Sequence, residues 1–309
     1  MSLSVPKSLD THPYGHEEAA AYIVRLPVMT PSAPLIVSCP HAGIWLPDDV
    51  DASLAVDSIK ILNRGDRYTD WLTMGAPDLG ASQIICTTAP AWLNVGRSTL
   101  SLWPEHVREG IGNLEWDPDD IYAKHGQGLI ATRTLYGNEK IYKHGYAPEG
   151  AEIAERIADL YNPYHDRLQK LVKDTVKAHG KALVFDAHSA PSFGAPKDPD
   201  SGRERADIII SNLRDRSCDP ALVSKLQKIA ENFNFTVSVN DPYLGGFITK
   251  KYSRDGEWGQ QNVQSIQIEF KRAAIGINEQ TLVLEDPAKF QRLQACAQKM
   301  MAEMANHIA

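Results

Sequence analysis

The stretch that most constrains the fold is an apolar run that changes abruptly into polar, chemically active residues. Leu183-Val184-Phe185 leads directly into Asp186-Ala187-His188-Ser189. A short apolar run bounded by polar residues is typical of a strand buried on both faces, as in a parallel sheet. Asp186 and His188 would then share one side of the chain, at the strand end where open α/β sheets bind ligands. The alternative is structural, with Asp186 capping a turn and His188 a satisfied core residue.

The same arrangement recurs along the chain and predicts an α/β fold. Leu35–Cys39 is a second buried-strand candidate and precedes His41, and Ser265–Phe270 is a third, with Glu269 near its end. Further strands are predicted at 21–26 (an edge strand), 80–88, 207–211 and 235–239, and helices at 56–75, 151–179, 220–232 and 287–308. Alternating strands and helices predict one domain over residues 1–309, with three αβα layers around a mostly parallel or mixed sheet. Residues 98–150 are predicted to be a loop-rich insertion that could form a lid.

Charge and cysteine content limit the classes of partner. The net charge of −7 and a pI near 5.8 argue against a nucleic-acid or anionic-membrane surface. No apolar run approaches transmembrane length, and residues 1–16 contain no apolar signal core. The four cysteines, Cys39, Cys86, Cys218 and Cys296, form no Cys-x-x-Cys pair. We therefore expect a cytoplasmic protein that acts on small molecules.

Titratable residues gather where the predicted strands end. These are His41, His188 and Glu269, and an acidic pair, Asp66 and Asp70, shares a face if its segment is helical. Two imidazoles and one carboxylate are the ligand set of a catalytic zinc, with a fourth position open for water. A further carboxylate can then act as general base. Each piece alone is a weak signal, but their common position at strand ends favours a site.

Several short motifs give the chain a resemblance to the N-formylglutamate amidohydrolase family, from about Ile36 to Leu282. They are Ser38-Cys39-Pro40-His41-Ala42-Gly43, Asp66-x-x-x-Asp70, Pro163-Tyr164-His165, Asp186-Ala187-His188-Ser189, Gly245-Gly246-Phe247-Ile248-Thr249 and Gln267-Ile268-Glu269. The resemblance implies a zinc-exopeptidase-like (phosphorylase/hydrolase-like) α/β fold. It also implies hydrolysis of the formamide of N-formylglutamate to glutamate and formate, a step of amino-acid catabolism such as histidine degradation.

Roles for individual residues follow from the resemblance by position. His41 and His188 would be zinc ligands, with Asp66 or Asp70 as the carboxylate ligand, and Glu269 would be the base. Asp186 would orient a histidine, as metal-bound imidazoles usually require. His165 and Gln267 are expected to contact the metal ligands or the base without binding the metal themselves. Strand alternation places Gln267 on the same face as Glu269.

Substrate contacts are predicted from a few remaining residues. Where family members usually carry Asp-Leu-Asn-Arg, this chain reads Asn94-Val95-Gly96-Arg97. Arg97 is expected to bind a substrate carboxylate, with Arg272 as a second candidate. Gly245, Gly246 and Thr249 are expected to lie close to the substrate. Because the family's acid is absent, the substrate could be another small anionic N-acyl amino acid.

These observations favour a zinc-dependent amidohydrolase of small N-acyl, above all N-formyl, amino acids. The alternative among enzymes is a metallo-carboxypeptidase or a desuccinylase-like hydrolase. The alternative outside enzymes is a non-catalytic binder that has lost the metal. The sequence decides neither between Asp66 and Asp70 nor the oligomeric state.

Overall fold

A mixed eight-stranded sheet runs through the computed structural model, which describes residues 15–27 and 32–308. Its strands are β1 (Gly15–Ala19), β2 (Tyr22–Leu26), β3 (Leu35–Cys39), β4 (Ser82–Cys86), β5 (Ala182–Ala190), β6 (Ile208–Ser211), β7 (Val237–Val239) and β8 (Val263–Lys271). Their order is β1-β2-β4-β3-β5-β8-β6-β7. The central strands β4, β3, β5 and β8 are parallel, whereas β6 runs antiparallel to β8 and β2 antiparallel to β4. The predicted mixed sheet is confirmed.

Helices connect and cover the strands. They are α1 (Val50–Ser53), α2 (Ser58–Leu62), α3 (Thr69–Leu72), α4 (Ile121–Lys124), α5 (Gly150–Arg156), α6 (Asn162–His179), α7 (Pro220–Asn232), α8 (Phe247–Lys251), α9 (Arg272–Ile275) and α10 (Pro287–His307). A π-helical segment, Ile157–Tyr161, joins α5 to α6, and a small hairpin pairs β9 (Ile277–Asn278) with β10 (Val283–Leu284). Within the described residues, no helix combines the length and apolar character needed to cross a membrane.

The alternation of side chains along the strands builds two apolar cores, one on each face of the sheet. On one face, Phe185 of β5 and Ile268 of β8 belong to a core shared with α7 and α10. On the other face, Val184 and Val263 pack in a core with α6, which contributes Leu168. Burying each such apolar side chain stabilises the fold by roughly 1.5–3 kcal/mol. The result is the three-layer αβα arrangement that the sequence predicts.

Two strands extend further than predicted. The structure continues β5 to Ala190 and β8 to Lys271, paired in register so that His188 lies opposite Glu269. The polar residues therefore lie within the paired strands, and their buried side chains find hydrogen-bond partners there. The predicted edge strand at 21–26 is also corrected, since β2 lies between β1 and β4.

The acidic pair does not share a helix face. The single helix predicted over 56–75 is two short helices, α2 and α3, separated by a loop in which Tyr68 has a left-handed φ of 69°. Asp66 lies in this loop and Asp70 lies in α3. The chain reversal at Tyr68 sends the two carboxylates to different surroundings.

The helical prediction for 151–179 holds, with one irregularity before Pro163. The π-helical segment ends immediately ahead of α6, where a proline cannot continue regular helical hydrogen bonding. Gly180 ends α6 in the left-handed conformation predicted for its cap, and its N–H donates to the Val176 carbonyl at 2.7 Å.

Residues 98–150 consist mainly of turns, with α4 and a 3₁₀ turn at Pro104–His106. Leu102 and Leu129 anchor this segment in the core next to α6. Ile141 joins a smaller cluster with Val50 and Leu54. The segment is thus held by apolar contacts along its length, and its action as a lid stays a prediction.

Candidate active site

Three side chains from separate parts of the chain converge near the carboxyl ends of the central strands β3 and β5. His41 follows β3, Asp66 lies in the loop before α3, and His188 belongs to β5. The two Nδ1 atoms of His41 and His188 lie 3.2 Å apart, and Oδ2 of Asp66 lies 3.2 Å from the first and 3.0 Å from the second. The Asp66 N–H also donates to the His41 carbonyl at 2.8 Å, which ties the loop to the end of β3. These atoms face a common point.

The outer nitrogen of His41 is fixed by Asn94. Oδ1 of Asn94 lies 2.7 Å from His41 Nε2 and also accepts the Gly96 N–H at 2.9 Å. The second bond identifies this atom as the amide oxygen, so Nε2 of His41 must donate to it. A neutral His41 therefore keeps its lone pair on Nδ1, which points at the common centre.

The remaining two members of the cluster are held in a similar way. Nε2 of His188 lies 3.2 Å from Oδ1 of Asp186, an ion pair too poorly aligned to count as a hydrogen bond. Ser189 donates its hydroxyl to Oδ1 of Asp66 at 3.0 Å, which leaves Oδ2 directed at the histidines. The predicted orienting role of Asp186 is consistent with this contact.

The electrostatics of the cluster favour positive charge at its centre. Burial opposes ionisation of Asp66, but hydrogen bonds and charge from His188 and His41 lower its pKa. Burial likewise opposes the charged form of His188, yet the carboxylates of Asp186, Asp66 and Glu269 raise its pKa well above the ordinary range. The site therefore attracts a cation.

The donor set also fits a divalent metal. A tetrahedral zinc ion with bonds of about 2.0–2.1 Å keeps its ligand atoms about 3.3–3.4 Å apart. The three donor atoms lie 3.0–3.2 Å from one another. Two imidazole nitrogens that face each other at this distance cannot both donate, and a cation between them would satisfy both lone pairs.

Glu269 and Gln267 lie beside this cluster on β8. Gln267 Nε2 donates to Oε1 of Glu269 at 2.9 Å, and the Gly246 N–H and the Thr249 hydroxyl donate to Oε1 of Gln267 at 2.6 and 3.2 Å. Burial raises the pKa of Glu269 to about 8. The negative charges of Asp66 and Asp186 also raise it, whereas the charge of His188 lowers it. A carboxylate with such a pKa can take and release a proton near neutral pH.

Asp70 lies apart from His41, Asp66 and His188, which together are called the metal-ligand cluster below. Its Oδ2 is 3.9 Å from Arg25, and its carbonyl accepts from the side chain of Gln83 at 2.9 Å. Burial raises the pKa of Asp70 to about 6, although Arg25 lowers it. The structure thus brings Asp66, and not Asp70, to the two histidines.

The two arginines predicted to contact a substrate have different partners in the fold. The Arg97 guanidinium lies 4.0 Å from the ring centroid of Tyr122, in the 98–150 segment. Arg272 instead donates to the carbonyl oxygens of Asn63 and Gly65 at 2.9 and 3.0 Å and to the Asn63 side chain. Arg272 therefore holds the loop that carries Asp66.

The remaining predicted residues support the site without facing its centre. Thr249 is fully buried and also donates to Oδ2 of Asp186 at 3.2 Å. Gly245 has a φ of 129°, and an added Cβ would lie 3.0 Å from Leu213 and from Thr249. His165 lies 2.9 Å from the Val95 carbonyl through Nε2, and burial lowers its pKa to about 4. Gly245, Gly246 and Thr249 thus contact protein groups beside the cluster, and their contact with a substrate stays a prediction.

Sequence reasoning missed two residues of the site. The sequence marks Asn94 only as the replacement of a family acid and Ser189 only as part of a motif. The position of Asn94 within a family motif was the one available clue.

Comparisons with known sequences identify one family. A sequence model of the N-formylglutamate amidohydrolase family matches residues 33–276. The N-formylglutamate deformylases of Pseudomonas putida and Pseudomonas aeruginosa are each 29% identical to the chain, over 244 and 241 residues. These matches cover 78% and 76% of this chain and 80% and 79% of those proteins.

Solved structures show the same fold. The crystal structure of N-formylglutamate amidohydrolase from Ralstonia eutropha superposes with a TM-score of 0.81 at 23% identity, covering 94% of this chain and 99% of that one. A gene product of Agrobacterium tumefaciens gives a TM-score of 0.59 at 17% identity, with 92% and 96% of the chains covered. Both superpositions extend over nearly the whole length of the chain.

Proposed function

This chain belongs to the N-formylglutamate amidohydrolase family, and on that premise we propose that it is a zinc-dependent deformylase. It hydrolyses the amide of N-formylglutamate, or of a closely related anionic N-formyl amino acid, to formate and the free amino acid. The proposal agrees with the names of the two Pseudomonas relatives.

The observation that carries the proposal is the convergence of His41 Nδ1, His188 Nδ1 and Asp66 Oδ2, all within 3.2 Å of one another. Two imidazoles and a carboxylate oxygen suit zinc and leave one coordination position for water or substrate. Asn94 and Asp186 hold the outer nitrogens of the two histidines. Such outer partners fix the tautomer and the ring orientation of metal-binding histidines.

Zinc bound there would polarise the formyl oxygen and acidify the attacking water. Glu269 accepts a proton of that water and returns it to the nitrogen as the C–N bond breaks. Water thus supplies one oxygen to formate, and both of its protons end on the ammonium group of the free amino acid. Gln267 keeps the Glu269 carboxylate in place through its 2.9 Å hydrogen bond. The raised pKa of Glu269, about 8, suits a group that must both accept and donate a proton.

The complete donor set disfavours a non-catalytic binder that has lost its metal. A metallo-carboxypeptidase or desuccinylase-like activity would use the same metal and base on a larger substrate, so a substrate screen separates these activities. The four cysteines are buried free thiols, which suits the reducing cytoplasm where we propose that the enzyme works.

The test is formate release by the purified chain, measured with zinc supplied and after removal of metal by a chelator. We expect N-formyl-L-glutamate to be cleaved faster than N-acetyl- or N-succinyl-glutamate and than peptides with a carboxyl-terminal acidic residue. Chelation should abolish the activity and zinc should restore it. Formate release that is unaffected by complete metal removal, or faster cleavage of peptides, would contradict the proposal.

A further inference from the structure

A tight turn over residues 94–97 carries the acceptor that orients His41. Oδ1 of Asn94 accepts from His41 Nε2 at 2.7 Å and from the Gly96 N–H at 2.9 Å. The Arg97 N–H closes the turn by donating to the Asn94 carbonyl at 3.1 Å. The fit is close, because a Cβ added to Gly96 would lie 2.5 Å from His41 Nε2. A shift of this 94–97 turn would therefore move the hydrogen-bond partner of His41.

Two side chains near the start of α6 bind the backbone of this turn. The Tyr161 hydroxyl donates to the Arg97 carbonyl at 2.8 Å, and Nε2 of His165 lies 2.9 Å from the Val95 carbonyl. A carbonyl oxygen only accepts, so Nε2 of His165 carries the proton. Tyr161 and His165 are each only 6% exposed. The 94–97 turn is thus tied at two of its carbonyl groups, where water has little access.

The ring of His165 is fixed by three aromatic neighbours. Tyr161, the last residue of the π-helical segment, lies 4.3 Å away between ring centroids, and Tyr164 and Phe247 meet the imidazole edge-on at 5.5 and 5.7 Å. Segments of π-helix frequently occur at functional sites. These contacts leave the imidazole little freedom, so its Nε2–H stays directed at the Val95 carbonyl.

Histidine at position 165 has a cost. Its Nδ1 is buried with no hydrogen-bond partner among the described residues, and an unpaired buried polar atom destabilises a fold. Burial also lowers the pKa of His165 to about 4, so the ring is uncharged near pH 7. An apolar side chain would fill the same space without the unpaired atom. What histidine adds is the hydrogen bond to the Val95 carbonyl.

We propose that Tyr161 and His165 are positioning residues, which hold the 94–97 turn by its carbonyl groups and thereby fix His41 for metal binding. Their effect passes to the turn and then through Asn94 to Nε2 of His41, so that Nδ1 faces the metal. The inference rests on the proposed function for the presence of a metal. The sequence predicts contact of His165 with a metal ligand or the base; its hydrogen bond instead joins it to His41 through the turn.

Hydrogen exchange in the metal-free protein, followed by NMR, tests the hold on the turn. The Gly96 N–H is the reporter, because it donates within the turn. Tyr161→Phe and His165→Leu each remove one hydrogen bond to the turn, so each should speed exchange at Gly96 by ~2–10-fold. The Gly180 N–H, at the far end of α6, should keep its rate. Unchanged exchange at Gly96 in both variants, or equally faster exchange at both amides, would refute the proposal.

Two further variants separate hydrogen bonding from packing. Tyr252→Phe makes the same change as Tyr161→Phe in the same apolar core, but the Tyr252 hydroxyl has no partner among the described residues. Exchange at Gly96 should therefore match that of the wild type. His165→Gln keeps an N–H donor and should restore most of the protection lost in His165→Leu. If Tyr252→Phe matches Tyr161→Phe, or His165→Gln matches His165→Leu, packing sets the position of the turn and the proposal is wrong.

Zinc affinity, measured by competition with a chromophoric chelator, gives the second test. Tyr161→Phe and His165→Leu should each weaken binding by ~2–10-fold. In an Asn94→Ala background they should have no further effect, because the link to His41 is already broken. Equal losses in the two backgrounds would contradict a path through Asn94. Faster exchange at Gly96 in both variants of a chain that binds no zinc would uphold the hold on the turn and refute the proposed metallohydrolase.

Discussion

Two sets of residues in and around the metal-ligand cluster, here called the strand wall and the loop wall, differ in support and in charge. The strand wall consists of residues of β5 and β8: Asp186, His188, Gln267 and Glu269. The loop wall consists of residues from connecting segments: Arg64, Asn94, Arg97 and Tyr122. The strand wall carries the carboxylates and is linked from Glu269 through Gln267 to Thr249 and Asp186. The loop wall carries two cations that form no ion pair among the described residues.

The difference separates two tasks. Residues on paired strands are held by the ladder and by the apolar cores on both faces, which gives metal ligands and a base the fixed geometry that they need. Residues on connections have polar groups left over, which a ligand can satisfy. The strand wall is therefore suited to the proposed chemistry, whereas the loop wall carries two positively charged side chains.

The largest expected effect lies on the strand wall, at Glu269. Glu269→Gln keeps the size and the hydrogen bond to Gln267 but cannot carry a proton, so kcat should fall by ~10²–10⁴-fold. Zinc content and unfolding temperature should stay near those of the wild type. If Glu269→Gln loses zinc, Glu269 is a ligand, and if it keeps normal turnover, the strand wall does not supply the base.

An intermediate effect is expected at Asn94 and Asp186, which lie next to the outer nitrogens of His41 and His188. Asn94→Ala removes the acceptor of His41 Nε2, and Asp186→Ala removes the carboxylate beside His188 Nε2. Both should weaken zinc affinity by ~10–100-fold, as loss of outer partners does.

Asn94→Asp is the control for this pair, since it keeps an oxygen acceptor and introduces the acid that the family resemblance predicts at this position. Zinc affinity, measured by competition with a chromophoric chelator, should match or exceed that of the wild type. Unchanged affinity in Asn94→Ala would show that the loop wall plays no part in holding the metal.

The sequence predicts the strand wall better than the loop wall, because its patterns report on short stretches of chain. Alternation and an apolar run are local, so they located β5 and β8 and placed Gln267 and Glu269 on one face. The loop wall joins residues of distant segments, such as Arg64 and Gln127, and no local period encodes that contact. The pairing of Asp66 with Asp70 failed for a related reason, because a helical period assumes a helix that the backbone breaks at Tyr68.

The smallest effect is expected outside both walls, at Asp70. Burial raises its pKa from 3.8 to about 6, so its stabilising contribution is present below pH 3.8 and is lost as the pH rises through 6. Asp70→Asn has no such loss. Its free energy of unfolding relative to the wild type should increase between pH 4 and pH 7, by at most about 3 kcal/mol.

Urea unfolding of metal-free protein at the two pH values measures this difference. Turnover and zinc content of Asp70→Asn should remain those of the wild type, since Asp70 contacts Arg25 and not the histidines. A relative stability that is independent of pH would mean that Asp70 ionises normally in the folded protein.

The most direct test of the account is calorimetric titration of zinc into metal-free wild type, Asp66→Asn and Asp70→Asn. These two variants make the same chemical change four residues apart, at one carboxylate beside His41 and His188 and at one beside Arg25. The account predicts one zinc per chain for the wild type and Asp70→Asn, with affinities alike, and loss of tight binding in Asp66→Asn. Wild-type affinity in Asp66→Asn, or its loss in Asp70→Asn, would contradict the assignment of the metal centre.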